Sequence, residues 1–132
     1  EGVPAAIDSG AEIGHVHLHV SDLAQAEMFY GELLGFDVTL RGYPGALFMS
    51  AGGYHHQLGL NIWAGRGAPP PPSDAAGLIA FSLRVPDREV WQTLVARLTE
   101  AGYRPQPQRA DDSAVASLVL DPDGNGVLIV SD

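Results

Sequence analysis

Gly14-His15-Val16-His17-Leu18-His19-Val20-Ser21-Asp22 returns later in the chain, in looser form, as Gly77-Leu78-Ile79-Ala80-Phe81-Ser82-Leu83-Arg84-Val85-Pro86-Asp87. Each stretch alternates apolar and polar residues, ends in Val-x-Asp, and opens an amphipathic helical pattern that closes on Gly before an extended run. Asp22 and Asp87 stand sixty-five positions apart. That period is longer than the ~20–50 residues of solenoid repeats and suits two copies of a βαβββ unit. The expected class is α+β, with each module a curved four-stranded sheet covered by its helix on one face. Together the two modules would form a partly closed mixed β-barrel with a central cleft.

In the first module, Ile13 to Val20 alternates strictly, with Val16, Leu18 and Val20 on one face and His15, His17 and His19 on the other. One face is core and the other is cleft. Asp22 is a fitting helix N-cap, with Gln25 as its capping-box partner; Leu23, Ala26, Tyr30, Leu33 and Leu34 form the apolar stripe, and Gly35 supplies the stop. Phe36 to Arg41, Ala46 to Ala51 and His55 to Trp63 read as strands separated by Tyr43-Pro44-Gly45 and Gly52-Gly53.

The domain is expected over residues 12–132, with module one at 12–63, a linker at 64–77 and module two at 78–132. Four consecutive prolines make the linker a polyproline spacer. Module two repeats the order: a strand from Leu78 to Val85, a helix from Asp87 to Ala101 stopped by Gly102, and strands near Tyr103–Arg109, Ala114–Leu120 and Val127–Ser131. Asp121-Pro122-Asp123-Gly124-Asn125-Gly126 is the tightest hairpin signal. Residues 1–11 read as a mobile tail, and Glu1 in place of Met as a trimmed, processed or renumbered start. Asp111 and Asp112 read as a solvated loop.

Seven basic against sixteen acidic residues give a formal charge of −9. No Lys/Arg cluster interrupts it, so nucleic acid and anionic membrane surfaces are repelled on average. With no cysteine there is neither a disulfide framework nor a thiolate metal site. No apolar run approaches the ~20 residues of a membrane span, and no signal-peptide pattern opens the chain. A soluble, cytoplasmic protein with a small-molecule ligand is expected.

With these elements in view, the Gly14–Asp22 stretch, Phe29-Tyr30, Leu33-Leu34-Gly35-Phe36 and Asp121-Pro122-Asp123-Gly124-Asn125 resemble the vicinal oxygen chelate superfamily. Its members include glyoxalase I, extradiol dioxygenases, fosfomycin-resistance enzymes and metal-free bleomycin-resistance proteins. Gly52-Gly53-Tyr54-His55-His56, running into Gly59-Leu60-Asn61 and the proline linker, resembles the catechol-2,3-dioxygenase-like branch. The resemblance implies a homodimer and a divalent metal (Fe, Mn, Ni or Zn) held by one residue from each of two strands per module. Carried over, those positions are His15, Ala80, Leu128 and, by the internal symmetry, about Gln57, or Gly59 if the turn lengths differ. Ala80 and Leu128 cannot coordinate a metal, so the family's site is degenerate here.

Imidazole nevertheless crowds the expected cleft. His15, His17 and His19 share one strand face, and His55 is expected on the face of Gln57, Asn61 and Trp63. Same-face residues on a strand stand roughly 7 Å apart and can converge on one ion, so His15, His17 and His55 make a candidate relocated metal site. The competing reading has these histidines lining a polar cleft and bonding water and backbone. Trp63, Tyr54 and Phe48 are candidate stacking surfaces. Arg84, on the face of Ala80 and Ser82, is a candidate anchor for a carboxylate or phenolate.

Three functions compete. One is a protein that binds a small aromatic or cationic molecule in the inter-module cleft. The second is a metal-dependent enzyme of the glyoxalase–dioxygenase type on the relocated histidines, and the third is metal-free acid–base catalysis by a cleft histidine. The loss of Ala80 and Leu128 as ligands favours the first.

Overall fold

Alternation becomes strand β1, Val16–His19, with Leu18 buried and His17 and His19 exposed. The computed structural model describes residues 10–109 and 114–132. Most of the expected amino-terminal tail and the Asp111–Asp112 loop lie outside the described residues. Asp22, in extended conformation, accepts the Gln25 N–H at 2.9 Å and starts helix α1, Leu23–Glu27.

The sequence predicts one regular helix to Gly35, but Met28–Leu33 forms a π-helical turn. In it the Leu34 N–H donates to the Phe29 carbonyl, five residues back, at 3.1 Å. Phe29 and Tyr30 would point about 100° apart on a regular helix. In the wider turn both are fully buried, each burial contributing about 1.5–3 kcal/mol. Gly35, at φ 87°, ends the segment as expected.

Strands β2 (Asp37–Leu40), β3 (Ala46–Ser50) and β4 (Leu58–Asn61) complete a mixed sheet ordered β1-β4-β3-β2. The second half repeats it: β5 (Ala80–Arg84), α2 (Arg88–Glu100), β6 (Gln106–Gln108), β7 (Val115–Leu120) and β8 (Gly126–Ser131), ordered β5-β8-β7-β6. In each sheet the first strand runs parallel to the last and the remaining pairs are antiparallel. The two βαβββ units are thus present. Their strands form two separate four-stranded sheets, and among the described residues no closed barrel joins them. β4 is also shorter than the expected His55–Trp63 run, which leaves both of those residues outside the ladder.

The inner faces share one core. Leu18, Phe29, Tyr30, Leu58 and Leu60 from the first half pack in the same cluster as Leu98, Val119, Val127 and Ile129 from the second. The Asp121–Asn125 turn does more than reverse the chain. Buried Asp121 accepts the Tyr30 hydroxyl at 2.8 Å and the N–H groups of Asp123 and Asn125 at 2.9 and 2.8 Å. Asp123 accepts the Ser21 N–H at 2.9 Å, and the Asn125 amide donates to the His19 carbonyl at 3.4 Å. Two polar contacts therefore clip the second half onto the end of β1, and a third ties it to Tyr30 in the π-helical turn.

Candidate functional site

Parallel pairing of β1 with β4 sets His17 opposite Gly59, and antiparallel pairing of β4 with β3 sets Gly59 opposite Phe48. Without a side chain at the centre of this row, the His17 ring reaches across it to Phe48, centroid to centroid 5.6 Å. A Cβ at Gly59 would collide with the His17 ring.

Around this row lies a continuous ring-bearing surface. The His56 centroid is 4.9 Å from His15, 6.2 Å from His17 and 4.9 Å from Phe48, and His15 and His17 are 5.9 Å apart. Trp63 stands 6.3 Å from His17 and 6.1 Å from Tyr43, which in turn meets Phe48 edge-on at 6.0 Å. Trp63 is held at both ends. Its indole N–H donates to the Pro44 carbonyl at 3.1 Å, and its backbone N–H to the side-chain oxygen of buried Asn61 at 3.3 Å. Even so, Trp63 and Tyr43 remain 54% and 53% exposed. Large aromatics anchored yet left open to water are what a binding surface offers a flat guest.

The structure distributes the sequence candidates unevenly. His15, His17 and Trp63 come together. His55 lies against Tyr54, at 4.1 Å, and against His56, at 4.6 Å, while His56 takes the place between His15 and His17. The reason is local: residues 55–57 precede β4, so strand alternation does not extend back to them. His56 and Tyr43 were not among the candidates, and the sequence signal for His56 was its place right after the Gly52-Gly53 turn. Gln57 closes that turn by accepting the Ala51 N–H at 2.7 Å. His19 sits at the far end of β1, in a hollow with the linker prolines Pro69–Pro71. Exposed Arg84 binds Asp132 at 2.6 Å at the edge of the second sheet, beside Ser82 and across a cavity from His15 and Gln57.

Electrostatics favours neutral imidazole at the cluster's centre. Partial burial lowers the His56 pKa from the ordinary histidine value, and the neighbouring His55, His15 and His17 lower it further. The positions that the family resemblance implies for a metal do not offer a set of donors that fits an ion. The registers pair Gly59 with His17 as they pair Leu128 with Ser82, so Gly59 rather than Gln57 is the counterpart of Leu128. Gln57 spends its side-chain oxygen on Ala51, and Gly59, Ala80 and Leu128 have no side-chain donor atom. Among the described residues no group of three or more His, Cys, Asp or Glu is arranged to hold a metal as it stands. That includes both the sequence-derived set of His15, His17 and His55 and the neighbouring His56.

A family model, Glyoxalase/Bleomycin resistance protein/Dioxygenase superfamily, matches residues 12–129. Catechol-2,3-dioxygenase of Bacillus subtilis (strain 168) is 54% identical over 93 residues, which are 69% of this chain and 32% of that protein. The match thus spans about a third of the relative's length. Among solved structures, a glyoxalase/dioxygenase from Nostoc punctiforme superposes with a TM-score of 0.75 at 18% identity, covering 99% of both chains. An antibiotic-binding protein from a Streptomyces species superposes with a TM-score of 0.65 at 25% identity, covering 95% of this chain and 98% of that one. Fold, repeated modules and sequence agree: this chain belongs to the glyoxalase/bleomycin resistance protein/dioxygenase superfamily.

Proposed function

We propose that this protein binds a small aromatic molecule, neutral or cationic, on the imidazole and aromatic face of its first sheet. One observation carries the reading: His15, His17, His56, Phe48, Tyr43 and Trp63 form one open surface of rings whose neighbouring centroids lie 4.9–6.3 Å apart. Stacking on Trp63 and edge contacts with the imidazoles would hold a planar guest. A cationic guest gains further from the ring faces and from the net charge of −9. The likeness to an antibiotic-binding protein supports a sequestering role.

Trp63 supplies the assay. Titration with planar aromatic ligands, neutral and cationic, should quench its emission saturably, and Trp63→Phe with Phe48→Ala should abolish binding measured by calorimetry. Absence of saturable binding for every ligand of both classes would overturn this reading.

A second reading, metal-assisted chemistry on a catechol-like substrate, is favoured by the relationship to Catechol-2,3-dioxygenase. Elemental analysis after separate reconstitution with Fe²⁺, Mn²⁺, Ni²⁺ and Zn²⁺, beside His15→Ala, separates the two. Near-stoichiometric metal that is lost in the variant supports the enzyme. No retained metal supports the binding protein.

A further inference from the structure

A cavity of about 400 Å³ runs between the two modules, away from the Trp63 end of the ring surface. Its size falls within the ~300–1,000 Å³ of small-molecule sites. Its walls are apolar: Leu34 and Phe36 from the end of the first helical segment, Phe81 from β5, and Val90 and Leu94 from α2. The polar side chains on its lining are His15, Gln57, Ser82 and Arg84, and the exposure of His15, Ser82 and Arg84 marks the solvent side.

The charge pattern is selective. The chain carries sixteen acidic residues, yet among the described residues no Asp or Glu lines this cavity, and its one formal charge is the Arg84 guanidinium. Arg84 already holds a carboxylate, that of Asp132, through a single Nη1 contact at 2.6 Å. Both partners are about two-thirds exposed, at 70% and 67%. An exposed pair of this kind contributes little and exchanges readily. The remaining guanidinium N–H groups are suited to a second or replacement carboxylate.

We propose that this cavity is a binding site for a small amphipathic anion, an apolar chain or ring ending in a carboxylate. The tail lies between α2 and the end of the first helical segment, and the carboxylate sits on Arg84 beside the Ser82 hydroxyl. The site meets the ring surface only at His15; its apolar walls and its Arg84 anchor are its own, so it does not rest on the aromatic-face reading.

The chain's two tryptophans separate the sites. Trp63 belongs to the ring surface, whereas the Trp91 indole donates to the Ile129 carbonyl at 3.0 Å, and Ile129 lines the cavity. In a Trp63→Phe background, Trp91 is the sole tryptophan. Titration with octanoate should then shift its emission saturably with 1:1 stoichiometry by calorimetry. Acetate, lacking the tail, should bind at least about a hundredfold more weakly. Octylamine should bind at least about tenfold more weakly than octanoate, and Arg84→Met should weaken octanoate about tenfold while leaving octan-1-ol unchanged. The proposal is overturned if octanoate gives no saturable response. It is overturned equally if octylamine matches octanoate on the unmutated cavity, a comparison that does not depend on how the Arg84 variant folds.

Discussion

The His17 imidazole lies over the backbone of Gly59, its neighbour across the parallel β1–β4 pair, in space that any larger residue would fill. The strand can spare that side chain because Gly59 is buried within the sheet while the ring supplies the cover.

Gly59→Ala should therefore displace the His17 ring from Phe48. Because the exposed His17 ring can swing outward, the cost lies at or below the low end of overpacking, about 1 kcal/mol. Urea denaturation should show that loss, and ligand quenching of Trp63 should weaken in the same variant. A variant with unchanged stability and unchanged quenching would refute the packing argument.

Tyr30 and Asp121 form a buried bond between the halves. Burial first, and then the nearby Asp121 charge, raise the Tyr30 pKa well above its ordinary value of 10.0. Below about pH 10 the phenol is neutral in both folded and unfolded chains, so its contribution is fully present. Above that pH the unfolded chain loses the proton while the folded one keeps it, so stability falls as pH rises. Tyr30→Phe should cost about 1.5–3 kcal/mol at neutral pH and flatten the alkaline fall, both measurable by urea unfolding across a pH series.

Asp123 links the second half to Ser21 through one oxygen, while its other oxygen is buried without a hydrogen-bond partner. Asp123→Ala should destabilise by about 1–3 kcal/mol, the cost of leaving a donor unmet. Asp123→Asn keeps an acceptor for Ser21 and removes the unpaired charged oxygen, so it should cost less than the alanine change. The reverse ranking in denaturation midpoints would show that the contact with Ser21 is unimportant.

His56 should titrate below the ordinary histidine range, because partial burial and then its three imidazole neighbours disfavour its charge. A lowered pKa means that its contribution to stability is present above the unfolded value and is lost as pH falls through the folded one. NMR titration should show His56 losing its proton below the ordinary histidine value, and His15→Ala should move its pKa back upward.

Much of this is legible in the amino-acid sequence. The repeat ending at Asp22 and Asp87 announced two βαβββ units. Asp22 caps its helix as expected, Asp87 caps the second helix rather than lying within it, and Gly35 and Gly102 adopt positive φ at the helix ends. Those features are local, since they depend on alternation, capping and glycine's conformational freedom over a few residues. The candidate site was only half legible. His17 lies on β1 and His15 directly before it, where the Val16 N–H is already tied to the Gln57 carbonyl, so the two keep the strand's spacing, whereas the sequence expected only His55, and not His56, of the segment before β4 to face the site.

What the amino-acid sequence determined by itself was therefore the module order and the helix starts and stops. These follow from residue type and near-neighbour spacing. Tertiary structure alone decided that His56 fills the gap between His15 and His17, that Phe29 and Tyr30 share burial in a π-turn, and that Asp121 and Asp123 join the two halves. Each of these relationships is between groups brought together by the packing of two sheets on one core, and such distances are not encoded by any local period.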